Sequence, residues 1–152
     1  MFSEIYHNRV LELAADIPHA ERLPDPDGSA QKVSRICGSV ITADVMLDAE
    51  GRVTDLGLDP RACVLGQASV SVLARNAIGK TLQDFIQARD AMRAMLKEGA
   101  YPPRGDFWEL RHLEGVRDYA QRHTSVLLGF DAIIAAIEDA LEKRNQAAGC
   151  VG

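Results

Sequence analysis

Apolar side chains at Phe2, Ile5, Tyr6, Val10, Leu13 and Ile17 recur at helical spacing and predict an amphipathic helix over about residues 3–16, stopped by Pro18. Residues 21–29 gather Pro24, Pro26 and Gly28 among charged side chains and read as a surface loop. A strand is read over residues 31–36. The period then changes to two. Ile41, Ala43, Val45 and Leu47 alternate with Thr42, Asp44, Met46 and Asp48, as in a half-buried strand. Asp48-Ala49-Glu50-Gly51 supplies a hairpin turn in which Gly51 can take positive φ. The returning strand, residues 52–59, sets Val53 out of phase with Leu56 and Leu58, which predicts a bulge near Thr54 and Asp55.

From Leu65 to Ile78 the pattern is helical and rich in small residues, with Gly79 as its expected cap. Thr81, with Asp84 three residues on, opens the next helix, whose buried stripe is Leu82, Phe85, Ile86, Met92 and Leu96 and whose end is Gly99. A loop over residues 101–105 leads to a short helical segment (Phe107, Leu110, Leu113) expected to break near Gly115. The last helix is expected over residues 129–144, followed by a flexible tail, 145–152. Strands grouped between helices, without the alternation that builds a parallel sheet, give an α+β class: a small antiparallel β-sheet of about three strands with helices packed on one face. Residues 1–144 form a single domain in this reading.

Composition narrows the function classes. The chain has 152 residues, 47% hydrophobic and 26% charged, which suits one globular core. Its net charge is -5, against a nucleic-acid or anionic-membrane surface, both of which are read largely by basic patches. The longest apolar runs, Val126 to Phe130 and Ala132 to Ile137, fall well short of the roughly 18 residues of a membrane span. No secretory pattern is visible at the N-terminus, so a cytoplasmic location is expected.

Three cysteines, Cys37, Cys63 and Cys150, are odd in number and far apart, unlike a disulfide framework. Each is therefore a ligand, a nucleophile or a small buried residue. Cys37 precedes Gly38 on a turn between strands. Cys63 opens a helix, where unpaired N–H groups and the helix dipole favour a thiolate. Cys150 sits in the tail and reads as a free terminal thiol. His7, His19 and His112 share no metal-ligand spacing and are expected to face solvent. Arg61 and Lys80 are expected near the cysteines, either tuning the thiolates or meeting a partner, or simply as solvated charges.

A Cys-Gly after a strand, a hairpin, a second Cys opening a small-residue helix, and Gly79-Lys80 follow one another in this order. With Thr54-Asp55, Ala68-Ser69, Ser71, Leu113-Glu114-Gly115-Val116 and Asp131-Ala132-Ile133, they make the chain resemble the iron-sulfur cluster assembly scaffold family, of the IscU, SufU and NifU N-terminal type. The long connection after Lys80 is most similar to the SufU branch. The resemblance implies a site where three cysteines and an aspartate hold zinc or a nascent iron-sulfur cluster, together with a cysteine desulfurase as partner. Here the aspartate position falls on Ser39, the third cysteine on Ser125 and the residue before it on Thr124. Cys37 and Cys63 keep their thiols, and His123 is a further candidate ligand.

Serine hydroxyls are poor substitutes for deprotonated ligands at neutral pH. The resemblance thus implies a diverged scaffold, not an enzyme, that binds zinc or an iron-sulfur cluster weakly or not at all, or acts with a cysteine desulfurase. Two alternatives remain. One is a sulfur-transfer or redox thiol protein using Cys63 as nucleophile. The other is an interaction module that keeps the fold without metal.

Overall fold

The computed structural model describes residues 7–151, with side chains through Gly149. Phe2, Ile5 and Tyr6 of the first expected helix lie outside the described residues. Within them, helix α1 spans Asn8–Ala15 and buries Val10 and Leu13. Strands β1 (Gly28–Val33), β2 (Val40–Leu47) and β3 (Val53–Arg61) form one antiparallel sheet in the order β1-β2-β3. Helices α2 (Val64–Arg75), α3 (Leu82–Glu98) and α4 (His123–Val151) follow, with 3₁₀ turns over Gly105–Asp118 and Ala120–Arg122 between the last two. The α+β architecture expected from the sequence is therefore present, with α4 laid along β1 and β2, α2 and α3 against α4, and α1 outermost against α2.

Local chemistry placed several features correctly. Asp48 accepts from the backbone of Glu50 and Arg52 through its side chain, and Gly51 at φ 82 closes the turn on the Asp48 carbonyl. The pairing steps from Met46↔Asp55 to Leu47↔Val53, so Thr54 is the extra residue of the expected bulge. Thr81 and Asp84 form a reciprocal capping box on α3, and Gly99 ends it in the left-handed region at φ 68.

Tertiary contacts moved the rest. β1 begins at Gly28, inside the expected loop, and stops at Val33, because the Ser34 N–H bonds to the Ser39 carbonyl and leaves Ile36 in the connecting turn. A Cβ on Gly28 would strike the Ala136 carbonyl and Ala140, so the glycine is what lets α4 lie on this strand. Helix α2 stops at Arg75 rather than Ile78, since Gly79 N–H and the Lys80 carbonyl bond instead to Val53 at the start of β3. The 3₁₀ stretch kinks at Phe107 and runs on through Gly115, where a break was expected. Helix α4 starts six residues before the expected 129, because Ser125 and Val126 pack into α2, and it continues past Arg144 to Val151 through Gln146, Ala147 and Ala148. Residues 145–149 are exposed on every side, so this extension packs on nothing.

The outer face of the sheet is less open than a half-buried strand implies. Thr42 and Asp44 are both buried. Arg22 grips the Asp44 carboxylate with two bonds of 2.6 and 3.0 Å, while the Leu23 N–H and the Ser29 hydroxyl donate to it at 3.0 and 2.6 Å. Residues 19–23 thereby strap the sheet. Gly57 leaves room for them, because a Cβ there would lie 2.5 Å from the Glu21 carbonyl oxygen.

Candidate metal and thiol site

The β1–β2 connection and the N-termini of α2 and α4 meet at one end of the sheet. Gly38, at φ 75, turns the chain so that its N–H returns to the Ser34 carbonyl at 2.8 Å, and Cys37 sits half-buried at the tip. Across the sheet, the last β2–β3 pair is Val40↔Arg61, so Cys63, two residues further on, follows β3 at the same end of the sheet as the turn that carries Cys37. Cys63 is the N-cap of α2, with extended backbone and no side-chain capping bond. Gly66, one turn into α2, allows close approach of α4, since a Cβ there would be 3.1 Å from the Ser125 carbonyl oxygen. The Ser69 hydroxyl fixes the register by donating to the Val126 carbonyl at 2.6 Å.

This packing delivers Ser125 to Cys37. Its hydroxyl lies 2.9 Å from Cys37 Sγ, and the Ser39 hydroxyl lies 3.0 Å away. Ser34, Ser39 and Ser125 are all buried, and the Ser34 hydroxyl completes no hydrogen bond of its own. Burial pushes the Cys37 thiol up, but the hydroxyls of Ser125 and Ser39 and the Ser39 backbone outweigh it and hold the pKa at about 6, below the ordinary 9.0. Hydroxyls that donate to sulfur stabilise its anion more than they stabilise the neutral thiol.

The other candidates sit differently. The buried His123 donates from Nε2 to the Arg117 carbonyl at 3.1 Å, which commits that nitrogen to the 3₁₀ segment. Arg61 stays at this end, paired with Asp59 at 3.3 Å. Lys80 does not. Its backbone bonds to Val53, at the start of β3, while the cysteines lie past Arg61 at the far end of that strand, about 25 Å away at ~3.3 Å per residue. Its ammonium pairs with Asp106 at 2.6 Å. His7 and His112 are half-buried against each other with ring centroids 5.2 Å apart, where solvent exposure was expected. Burial and the neighbouring His7 push the His112 imidazole below its usual range. His19 is exposed, as expected. The side chain of Cys150 lies outside the described residues. Ser34 was missed from the sequence, although its position three residues before Cys37 on the same turn was the available signal.

Comparison with known proteins decides the family. The model of the NifU-like N-terminal domain matches residues 5–147. The chain belongs to this family of iron-sulfur cluster assembly scaffolds. A NifU-like protein (N-terminal) from Brucella abortus is 44% identical, with a TM-score of 0.89 over 93% of this chain and 98% of that one. The iron-sulfur cluster assembly scaffold protein IscU of Streptococcus pyogenes serotype M1 is 26% identical over 80% of this chain and 76% of its own length. A protein of Fervidobacterium islandicum AW-1, assigned as a scaffold for the SUF system, shares the fold at a TM-score of 0.79 and 18% identity, covering 89% of this chain and 98% of that one.

A NifU-like fold implies a metal or cluster at the Cys37 end, but the donor set here does not fit one. Among the described residues no group of three His, Cys, Asp or Glu is placed to hold a metal ion. Zinc and iron-sulfur clusters favour four donors rich in thiolate, whereas Ser39 and Ser125 bring neutral hydroxyls within hydrogen-bond distance of the Cys37 sulfur.

Proposed function

We propose that this scaffold-family member works with a cysteine desulfurase, taking up sulfur at Cys37, and holds zinc or an iron-sulfur cluster weakly at most. One observation carries the reading: the hydroxyls of Ser39 and Ser125, at the positions where the family resemblance implies anionic ligands, lie within 3.0 Å of Cys37 Sγ. Two thiols leave half of a tetrahedron to water or a poor donor, while the same hydroxyls favour the thiolate form, which is the nucleophile. In the transfer the Cys37 thiolate attacks the outer sulfur of a donor persulfide. A new S–S bond forms at Cys37, the donor's S–S bond breaks, and the donor cysteine leaves as thiolate. Electrons balance without an external oxidant.

Of the two thiols, Cys37 rather than Cys63 is favoured as acceptor, because Cys63 has no hydroxyl donors around its sulfur in the hydrogen bonds of this site. The protein incubated with a cysteine desulfurase and cysteine should gain one sulfur atom on the peptide carrying Cys37, by mass spectrometry under non-reducing conditions. Parallel competition with a chromophoric chelator should show weak zinc uptake. Sulfur on Cys63 alone would transfer the role to that residue. Tight stoichiometric zinc with no sulfur uptake would overturn the reading.

A further inference from the structure

β1 is an outer strand of the sheet, and its exposed edge is only half capped. Alternate N–H groups along a strand point the same way. The Ser29 N–H points out of the sheet and is satisfied by Asp139 of α4 at 3.0 Å. Gln31 and Val33 lie two and four residues further on, so their N–H groups point out of the same edge, beyond the reach of Asp139. Both residues are exposed, Val33 at 54%, and Ile36 on the adjoining turn at 70%. Lys32 and Arg35 are exposed beside them and enter no ion pair among the described residues, in a chain whose net charge is -5.

We propose that this edge, residues 31–36, takes an extended acidic segment of a partner protein, which adds to the sheet as a fourth strand next to β1. Backbone bonds to Gln31 and Val33 would supply affinity, Val33 and Ile36 would cover an apolar side chain of the segment, and Lys32 and Arg35 would select carboxylates. A second copy of this chain is a poorer occupant, since symmetric β1–β1 pairing brings Lys32 and Arg35 of both copies together, the arrangement by which edge strands avoid self-association. The edge adjoins Cys37 and is available whether or not that thiol takes up sulfur.

The full chain can be titrated with a synthetic peptide alternating Asp and Val, and with its Lys-for-Asp counterpart, while backbone amide exchange is followed by NMR. The acidic peptide should slow exchange at Gln31 and Val33, and the basic peptide should not. Val33→Pro removes an outward N–H that bonds nothing within the sheet, so the fold should survive and affinity should fall about tenfold or more. The paired change Lys32→Glu with Arg35→Glu keeps the edge amides and should invert the preference between the two peptides. Unprotected Gln31 and Val33 amides at saturating acidic peptide, or equal affinity for both peptides, would overturn the proposal. So would a concentration-dependent dimer that Val33→Pro abolishes, because the edge would then belong to a second copy.

Discussion

Removing the hydroxyl of Ser125 tests whether the site holds a thiolate. A hydrogen bond to a charged group contributes about 1.5–3 kcal/mol, and one pKa unit corresponds to 1.36 kcal/mol, so at the lower end of that range one lost donor should raise the Cys37 pKa by about one unit. Starting from about 6, Ser125→Ala should bring it near 7 and the double variant with Ser39→Ala near 8. At pH 7 the thiolate share would fall from roughly nine-tenths to about half, then to about a tenth. The assay is the rate of iodoacetamide alkylation against pH, read on the Cys37 peptide by mass spectrometry in a background where Cys63 and Cys150 are serine. Circular dichroism controls for the fold. A midpoint that stays near 6 in the double variant would refute the account, because these hydroxyls would then not be what stabilises the anion.

Other outcomes follow from the same geometry. The folded pKa of Cys37 lies below its ordinary 9.0, so the stability it contributes is full above about 9 and disappears as pH falls to about 6. The melting temperature of the parent should therefore pull ahead of that of Ser125→Ala as pH is raised from 6 to 9. Chelator treatment should leave the melting temperature of the parent unchanged, as a fold held by its hydrophobic core rather than by metal requires. Ser39→Asp with Ser125→Cys should create a four-donor site with Cys37 and Cys63 and bind zinc far more tightly than the parent in chelator competition, with most of the gain already present in Ser125→Cys. Asp44→Ala leaves the Leu23 N–H and the Ser29 hydroxyl without their shared acceptor while the half-exposed Arg22 turns to water, and denaturant unfolding should show a loss of about 1–3 kcal/mol.

What the sequence made legible was mostly short-range. The Asp48–Gly51 turn, the Thr54 bulge and the Thr81–Asp84 capping box each follow from residues within a few positions of one another. Where partners distant in sequence compete, the local pattern misleads. The periodicity that extends α2 to Ile78 carries no trace of Val53, whose backbone takes up Gly79 and Lys80. Thr124 and Ser125 look too polar to open a buried helix until Gly66 and Ser69 of α2 are set against them. The burial of Asp44 depends on Arg22, which sequence alone placed in an unattached loop.

The site divides along the same line. Family resemblance placed Cys37, Ser39, Cys63 and Ser125 at shared positions, and packing brings Ser39 and Ser125 onto one sulfur. What the resemblance could not convey is how hydroxyls, standing where it implies anionic donors, would change the electrostatics of the pocket. An aspartate and a third thiolate beside Cys37 would repel its anion unless a cation sat between them, so a site with those residues needs its metal to keep the thiol ionised. Ser39 and Ser125 instead can turn positive dipole ends toward a Cys37 thiolate, and the anion is stabilised without any cation. A zinc ion arriving at this pocket would gain two thiolates at most and would displace the hydroxyl bonds that Cys37 already has. Under the proposed function, the hydroxyls that make a poor donor set for metal are therefore the same groups that suit Cys37 to act as a free nucleophilic sulfur.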